Sequence, residues 1–494
     1  MPLSSALSSA NSGLATTSRR AEIAAGNIAN ASTPGYVRRS LQVGEIVLNG
    51  QGQGARILGV DRAEDAGLTH ERRQAGASAA RANIIARSYA DFNRELGTPG
   101  DGYGLFASYQ NVETALRELS VTPESPALQN GAANALSSLA LQFNEQYALG
   151  QNQRLSADNA IARSVNTVNS GLHRVANLNG QIAGLNGVSG DIAALQDERD
   201  RVLDEISQII PVKIIPKDHA QIDIITEQGV FLLAGNVHEL SFAPAGTIPP
   251  GAALGDGANT LSGLYVGEQN ITPNTDGHFA VSSGTMSGLF TVRDVVAPEF
   301  LDGLDALAAD LISRFSDDGL DPTTPTGAPG LFTDNGLALS PPTPTDPPPA
   351  GLAGRLRINA AIDVRQGGSA TRLRDGLGAA NTGPVSNAQI LNNLLDAFTN
   401  SHAAPSGSGL LGSLNSSELA AGFSSLIGEG RVNADAIAVT SLSRASALAD
   451  AELSKTGVDT DAEMQSLLLI EQAYAANARV IQTISDMLDT LMQI

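Results

Sequence analysis

The chain has 494 residues, with 30 Lys+Arg against 51 Asp+Glu and a formal net charge of −21. That acidity argues against nucleic acid or an anionic membrane as the main partner, since both call for a basic surface. Cysteine and tryptophan are absent, which removes disulfides, thiolate metal sites and cysteine nucleophiles. An aromatic content of 4% points to long helices with small-residue seams rather than a compact aromatic core.

The first thirteen residues show neither a basic n-region nor a continuous apolar h-region, so no cleaved secretory signal is expected. No stretch approaches the roughly 18 apolar residues of a membrane span. Residues 1–100 carry 11 Arg against 8 acidic residues, a net of +3 that leaves −24 for the rest. This mildly basic start could meet an acidic part of its own chain or of a neighbouring copy.

Residues 3–31 read as a helix. Leu7, Leu14, Ala21 and Ile28 recur every seven residues, with Leu3, Ala10, Thr17 and Ala24 interleaved; this is a narrow, Ala-rich heptad seam that permits close approach. Pro34-Gly35 is expected to end the helix, with Gly35 supplying a backbone angle that larger residues disfavour. Strands follow at 36–48 and 56–60 around the Gly-rich turn 49–54. Helical periodicity then covers 66–96, 108–121, 126–149, 153–185 and 191–210. After Pro211 the period shifts toward two, with short strands at 212–215, 221–226, 230–233 and 239–242 and weaker ones to about 281, which reads as an inserted β domain. Helix resumes at 284–315. The Pro/Gly/Thr-rich stretch 318–354 reads as an exposed, partly extended loop, and helices return from 387 to 402 and from 419 to the end.

The last helix carries the strongest pattern. Leu467, Ile470, Tyr474, Asn477, Ile481, Ile484, Leu488 and Leu491 are spaced 3, 4, 3, 4, 3, 4, 3. A lone helix cannot bury such a stripe, so the two ends of the chain are expected to pair with each other or with neighbouring copies. Asn477 within the seam costs stability and fixes register.

Catalytic signals are weak. The six histidines show no H-x-x-x-H spacing, and none of the three lysines (Lys213, Lys217, Lys455) follows a glycine, which excludes a Walker A loop. The carboxylates Asp197, Glu198, Asp200, Asp204 and Glu205 read as a solvated helix face laced by Asp197–Arg201 and Arg201–Glu205 pairs, in preference to a glycosidase-like pair. The loop 317–321 reads as an acidic turn lacking the twelve-residue calcium pattern. No catalytic, metal or cofactor site is assigned.

The motifs at the two ends resemble the bacterial flagellar rod, hook and hook-associated protein family. Asn27-Ile28-Ala29-Asn30 with Thr33-Pro34-Gly35-Tyr36 is similar to its N-terminal signature. Gly457-Val458-Asp459, Glu463-Met464 and Glu471-Gln472-Ala473-Tyr474-Ala475-Ala476-Asn477-Ala478-Arg479-Val480-Ile481 are similar to its C-terminal helix, which Met487-Leu488-Asp489-Thr490-Leu491 completes. Two internal stretches, Leu195-Gln196-Asp197-Glu198-Arg199-Asp200 and 284–290 followed by Arg293-Asp294, resemble the hook-associated protein 1 branch.

The resemblance implies a structural subunit of the junction layer between hook and filament. Implied partners are copies of itself, the hook protein, a second hook–filament junction protein and a flagellar export chaperone, with no nucleic acid, membrane or cofactor. It further implies passage through the type III export channel without signal cleavage, and an extracellular place on the flagellum. The expected fold is mainly α with an inserted β domain. A terminal coiled coil (1–35 and 456–494) joins a helical body (36–210, 284–317, 387–455), an outer β domain (211–283) and an irregular Pro/Gly-rich segment (318–386). Leu7, Leu14 and Ile28 would face the C-terminal stripe, while Asn27, Asn30 and Tyr36 set the corner from helix to strand. Alternatives are another axial protein of the second-junction, hook or distal-rod type, and, from another class, a secreted adhesin or glycan-cleaving enzyme with coiled-coil ends.

Overall fold

The computed structural model describes residues 2–48, 51–98, 100–185, 192–255, 260–317, 319–340 and 348–492. In chain order, α1 (Pro2–Asn30) leads into the antiparallel strands β1 (Arg39–Leu48) and β2 (Gln51–Arg62), then α2 (Ala66–Leu96), α3 (Gly104–Val121), α4 (Pro126–Leu185) and α5 (Ala193–Ile209). Short strands follow: β3 (Val212–Pro216), β4 (Ile222–Thr226), β5 (Phe231–Ala234), β6 (Asn236–Val237), β7 (Leu240–Ser241), β8 (Ala253–Leu254), β9 (Thr260–Leu261), β10 (Tyr265–Val266) and β11 (Gln269–Asn270). Next come α6 (Gly284–Thr291), a π turn at Val292–Val296, α7 (Ala297–Arg314), β12 (Phe332–Asp334), α8 (Leu352–Arg355), β13 (Leu356–Ile358), α9 (Arg372–Asp375) and α10 (Gln389–Thr399). The chain closes with β14 (His402–Ala403), β15 (Ser413–Leu414), α11 (Ser416–Thr456) and α12 (Thr460–Met492). The mainly helical class with a smaller β-rich part is therefore observed.

The chain divides into two compact units. The first comprises Met1–Ser78, Thr167–Glu239 and Ser441–Ile494, and the second Ala79–Asn166 and Leu240–Thr440. Strands from the segment expected as one β domain fall in both. The antiparallel meander β3-β4-β5-β6 belongs to the first unit, and the β11-β10-β7 sheet and the parallel β8-β9 pair to the second.

Three expectations need correcting. The helices at 126–149 and 153–185 are one 60-residue helix, α4. Gly150, inside the expected gap, marks a close approach, since a Cβ there would lie 2.6 Å from Leu301 Cδ2. The stretch 318–354 is not simply an exposed loop: Leu331, Phe332, Leu352 and Ala353 are fully or nearly fully buried, and β12 pairs with β13; Asp318 and 341–347 lie outside the described residues. The final helix is interrupted, with α11 and α12 separated at residues 457–459.

The low aromatic count also misleads about the core. The second unit holds a continuous one in which Phe92 stacks on Phe300 with centroids 4.1 Å apart, Phe300 meets Phe423 at 5.8 Å and Phe315 meets Phe332 at 5.5 Å. Unit one has only three aromatics, Tyr36, Phe231 and Tyr474, and none of them is buried. Aromatic side chains are thus concentrated in one unit.

Candidate assembly site at the paired termini

Helix α1 packs against α12. Two contacts set direction and register. The Asn27 Nδ2 donates to Glu463 Oε1 at 3.1 Å, and a Cβ on Gly13 would lie 2.9 Å from Asn477 Nδ2. From Gly13 to Asn27, and from Asn477 back to Glu463, is fourteen residues each way, so the helices run antiparallel with two heptads between these contacts. Gly13 gives the room that Asn477 fills.

The buried positions of α1 are Ala10, Thr16, Thr17, Ala24 and Asn27, while Leu7, Leu14 and Ile28 are half-buried. Small residues thus make the closest approach and the larger ones flank it. On α12, Ile484 is buried and Leu467, Ile470, Asn477 and Ile481 are half-buried. Tyr474, Leu488 and Leu491 remain 46%, 40% and 58% exposed. Of the seam expected from sequence, the structure brings the two halves together but covers only part of the apolar stripe. Ala10, Thr17 and Ala24 were legible in the interleaved heptad; Gly13 had no sequence signal beyond being a glycine inside a helix.

The corner after α1 is built on Asn27, whose side chain is fully buried. Its Nδ2 also donates to the Arg39 carbonyl at 2.9 Å. Its Oδ1 accepts from the Tyr36 hydroxyl at 2.8 Å and from the Arg39 amide at 3.1 Å. Two donors and two acceptor positions are all used, as a buried amide requires. Asn30 Nδ2 turns back on the Gly26 carbonyl at 2.9 Å and its Oδ1 accepts from Thr33 Oγ1 at 3.3 Å. Pro34 does not end the helix, which stops at Asn30. Pro34 and Gly35 instead form the centre of a turn closed by the Tyr36 amide on the Thr33 carbonyl at 3.1 Å. Gly35 has φ +78°, the left-handed value that a type II turn demands after proline. A Cβ at Gly35 would also lie 2.8 Å from Arg201 Cγ.

Behind the corner lies an ion network. Asp197 is 5% exposed and accepts from Arg39 Nη2 at 2.8 Å and Arg62 Nε at 2.9 Å. Arg62 Nη2 also reaches Asp200 at 2.8 Å, and Arg73 Nε reaches Asp204 at 2.6 Å. Arg72 joins Asp204 at 2.8 Å and contacts Glu452, and Lys455 Nζ donates to Asp65 at 2.7 Å. Burial pulls the Arg62 guanidinium down, but Asp200, Glu64 and Asp197 beside it more than offset that and hold it above its ordinary value. The solvated-face reading of α5 is therefore wrong for Asp197 and for the buried Arg199, which donates to Asn179 Oδ1 and the Ala220 carbonyl. Arg201 pairs with Glu198 at 2.5 Å. The basic start of the chain does meet an acidic segment of its own: α5.

The second internal motif has a comparable task in the other unit. Arg293 is fully buried, donating to Asp158 Oδ1 at 2.7 Å, to Asp294 Oδ1 at 2.8 Å and to the Ser262 carbonyl at 3.0 Å, with Phe290 4.6 Å below its guanidinium. It ties the 240–283 strands to α4 and α6. In the 317–321 turn, Asp321 spends both oxygens on the Thr323 and Leu377 amides. Among the described residues no group of three or more His, Asp or Glu could hold a metal ion, and no helix is long and apolar enough to cross a membrane.

Comparison with known proteins gives three family matches in chain order. The flagella basal body rod protein family matches residues 7–36, the flagellar hook-associated protein FlgK helical domain residues 93–327, and the flagellar basal body rod FlgEFG protein C-terminal family residues 451–494. The flagellar hook-associated protein 1 of Escherichia coli (strain K12) is 24% identical over 324 residues, covering 64% of this chain and 57% of that protein. Its Salmonella typhimurium counterpart is 25% identical, with 64% and 56% covered, so the match spans a little over half the length of these relatives. The Bacillus subtilis protein of the same name is 23% identical over 99% of this chain and 96% of its own. A solved structure, the flagellar hook junction protein FlgK from Burkholderia pseudomallei, superposes with a TM-score of 0.57 at 12% identity, covering 78% of this chain and all of that one. That likeness speaks for the fold.

Proposed function

We propose that this chain, which belongs to the flagellar hook-associated protein 1 family, is a structural subunit of the layer joining hook to filament, assembled through its terminal helices. The observation that carries this reading is the α1–α12 pair. Its register is fixed at Asn27–Glu463 and Gly13–Asn477, yet Tyr474, Leu488 and Leu491 stay exposed. An apolar stripe that the subunit itself leaves open is what a polymerisation surface needs. Residues 1–35 and 456–494 are then the polymerisation domain. Leu7, Leu14, Ile28, Leu467, Ile470, Tyr474, Asn477, Ile481, Ile484, Leu488 and Leu491 form its seam, and Asn27, Asn30, Thr33, Pro34, Gly35 and Tyr36 its corner.

On this reading the partners are copies of the chain, the hook protein, the second junction protein and an export chaperone, and the assembled protein lies outside the cell without signal cleavage. The role is one of shape, with no chemical step. The test is complementation of a strain lacking the protein, with fractionation of sheared flagella. The full chain should co-purify with hooks and restore filaments, and a chain ending before Gln472 should do neither. Filament growth with the truncated chain would sink the proposal.

A further inference from the structure

Between β3 and β4 the chain turns through His219 and Ala220, both left-handed, with φ +58° and +55°. The Gln221 amide donates to the Asp218 carbonyl at 3.3 Å, and the Lys217 amide to the Gln221 carbonyl at 2.9 Å. Two successive left-handed residues are what a type I′ turn needs, and Asn-Gly is the pair that usually supplies them. Histidine tolerates the left-handed region better than most residues do. Alanine has no polar group with which to offset the crowding of its Cβ. Ala220 is therefore strained, and nothing in its own side chain holds it there.

What meets the turn is Arg199 of α5, a residue only 7% exposed. Its Nη1 donates to the Ala220 carbonyl at 2.7 Å and to Asn179 Oδ1 at 3.1 Å. Asn179 of α4, itself buried, donates Nδ2 to the Ile222 carbonyl at 2.8 Å. The carbonyls on either side of Gln221 are thus gripped from α5 and from α4. The guanidinium gains little for itself. It bonds no carboxylate, and its buried Nε has no acceptor among the described residues. Burial pulls the Arg199 guanidinium below its ordinary value, and Asp200 nearby does not restore it.

A cation is costly to bury without a counter-charge, but the hydrogen bond it gives to a carbonyl is charge-assisted and strong enough to offset one left-handed alanine. We propose that Arg199 is a positioning residue for this turn. Its bond to the Ala220 carbonyl holds the chain left-handed at 219–220 and so fixes how the β3–β4 hairpin lies on α4 and α5.

Glycine takes a left-handed φ without strain, so Ala220→Gly supplies through the backbone what Arg199 supplies through a bond. That variant of the full chain should raise the midpoint of thermal unfolding by roughly 2–4 °C, where glycine at an ordinary φ would lower it. An unchanged or lower midpoint would mean that Ala220 carries no strain, and would overturn the proposal. Arg199→Met should speed hydrogen exchange of the Gln221 amide about tenfold or more. Adding Ala220→Gly to it should bring exchange back to within about threefold of the wild type. Exchange as slow in Arg199→Met as in the wild type would show that the arginine does not hold the turn. Fast exchange that Ala220→Gly leaves uncorrected would show that its loss acts through the packing of α5; either result sinks the proposal. If Arg199→Met alone does not fold, the double variant should, and its failure to fold counts equally against the assignment.

Discussion

Asn27 is the residue on which the corner turns. Its side chain satisfies both backbone groups of Arg39, the Tyr36 hydroxyl and Glu463 at once, so truncation strands several buried polar groups together. Asn27→Ala should cost about 2–4 kcal/mol, against about 0.5–1.5 kcal/mol for Tyr36→Phe, which removes a single bond. Hydrogen exchange at the Arg39 amide should accelerate in the first variant and change little in the second. Asp305 poses a different problem. Its two oxygens accept from the Gly351 and Ala353 amides, each at 2.7 Å, while burial pushes its carboxyl up to about 7. The folded state thus holds this proton more tightly than the unfolded chain. Its stabilising effect is complete below the ordinary carboxylate range and is lost as pH rises through about 7. Between about pH 4.5 and 8 the wild type should lose of the order of 1–4 kcal/mol relative to Asp305→Asn. Parallel unfolding curves for the two proteins across that range would refute the assignment.

At the scale of elements, the α1–α12 seam is decided by small residues. Glycine inside a helix ordinarily costs about 1 kcal/mol relative to alanine. At Gly13 that gain cannot be recovered freely, because the new methyl meets the Asn477 amide. Gly13→Ala should therefore be near neutral alone and stabilise by about 1 kcal/mol once Asn477→Ala has cleared the space. A double-mutant cycle by thermal unfolding with no coupling would show that the helices do not meet there. The same physics explains what could be read in advance. The α12 stripe and α2 were legible because one side of each helix repeats the same demand over many turns. Gly150 was not, since a glycine that admits Leu301 looks identical in sequence to one that breaks a helix. Asp197 was misread because its partners, Arg39 and Arg62, lie 158 and 135 residues away; local spacing offers Arg201 instead. The corner motif at 27–36 stood out, but only the fold shows that Pro34 shapes a turn after the helix has already ended.

At the scale of the whole chain, the two units have cores of different composition. The second buries Phe92, Phe143, Phe300, Phe332, Phe398 and Phe423 almost completely, which is ordinary hydrophobic stabilisation. The first, with no buried aromatic, buries aliphatic side chains such as Leu172, Ile182, Leu203 and Ile224 and sets carboxylates among Arg39, Arg62, Arg72 and Arg73. The aromatic core and the network around Asp197 thus lie in different units. That separation is measurable. Asp197→Ala leaves two guanidinium groups buried without their shared carboxylate and should cost about 3–5 kcal/mol, whereas Glu198→Ala, at a more exposed pair, should stay within about 1 kcal/mol. Phe300→Ala should cost about 3–5 kcal/mol through the cavity it opens. Followed by hydrogen exchange during heating, the Asp197 variant should lower the transition of Met1–Ser78, Thr167–Glu239 and Ser441–Ile494 alone, and the Phe300 variant that of the other unit. Were both substitutions to shift one common transition equally, the units would be a single cooperative body.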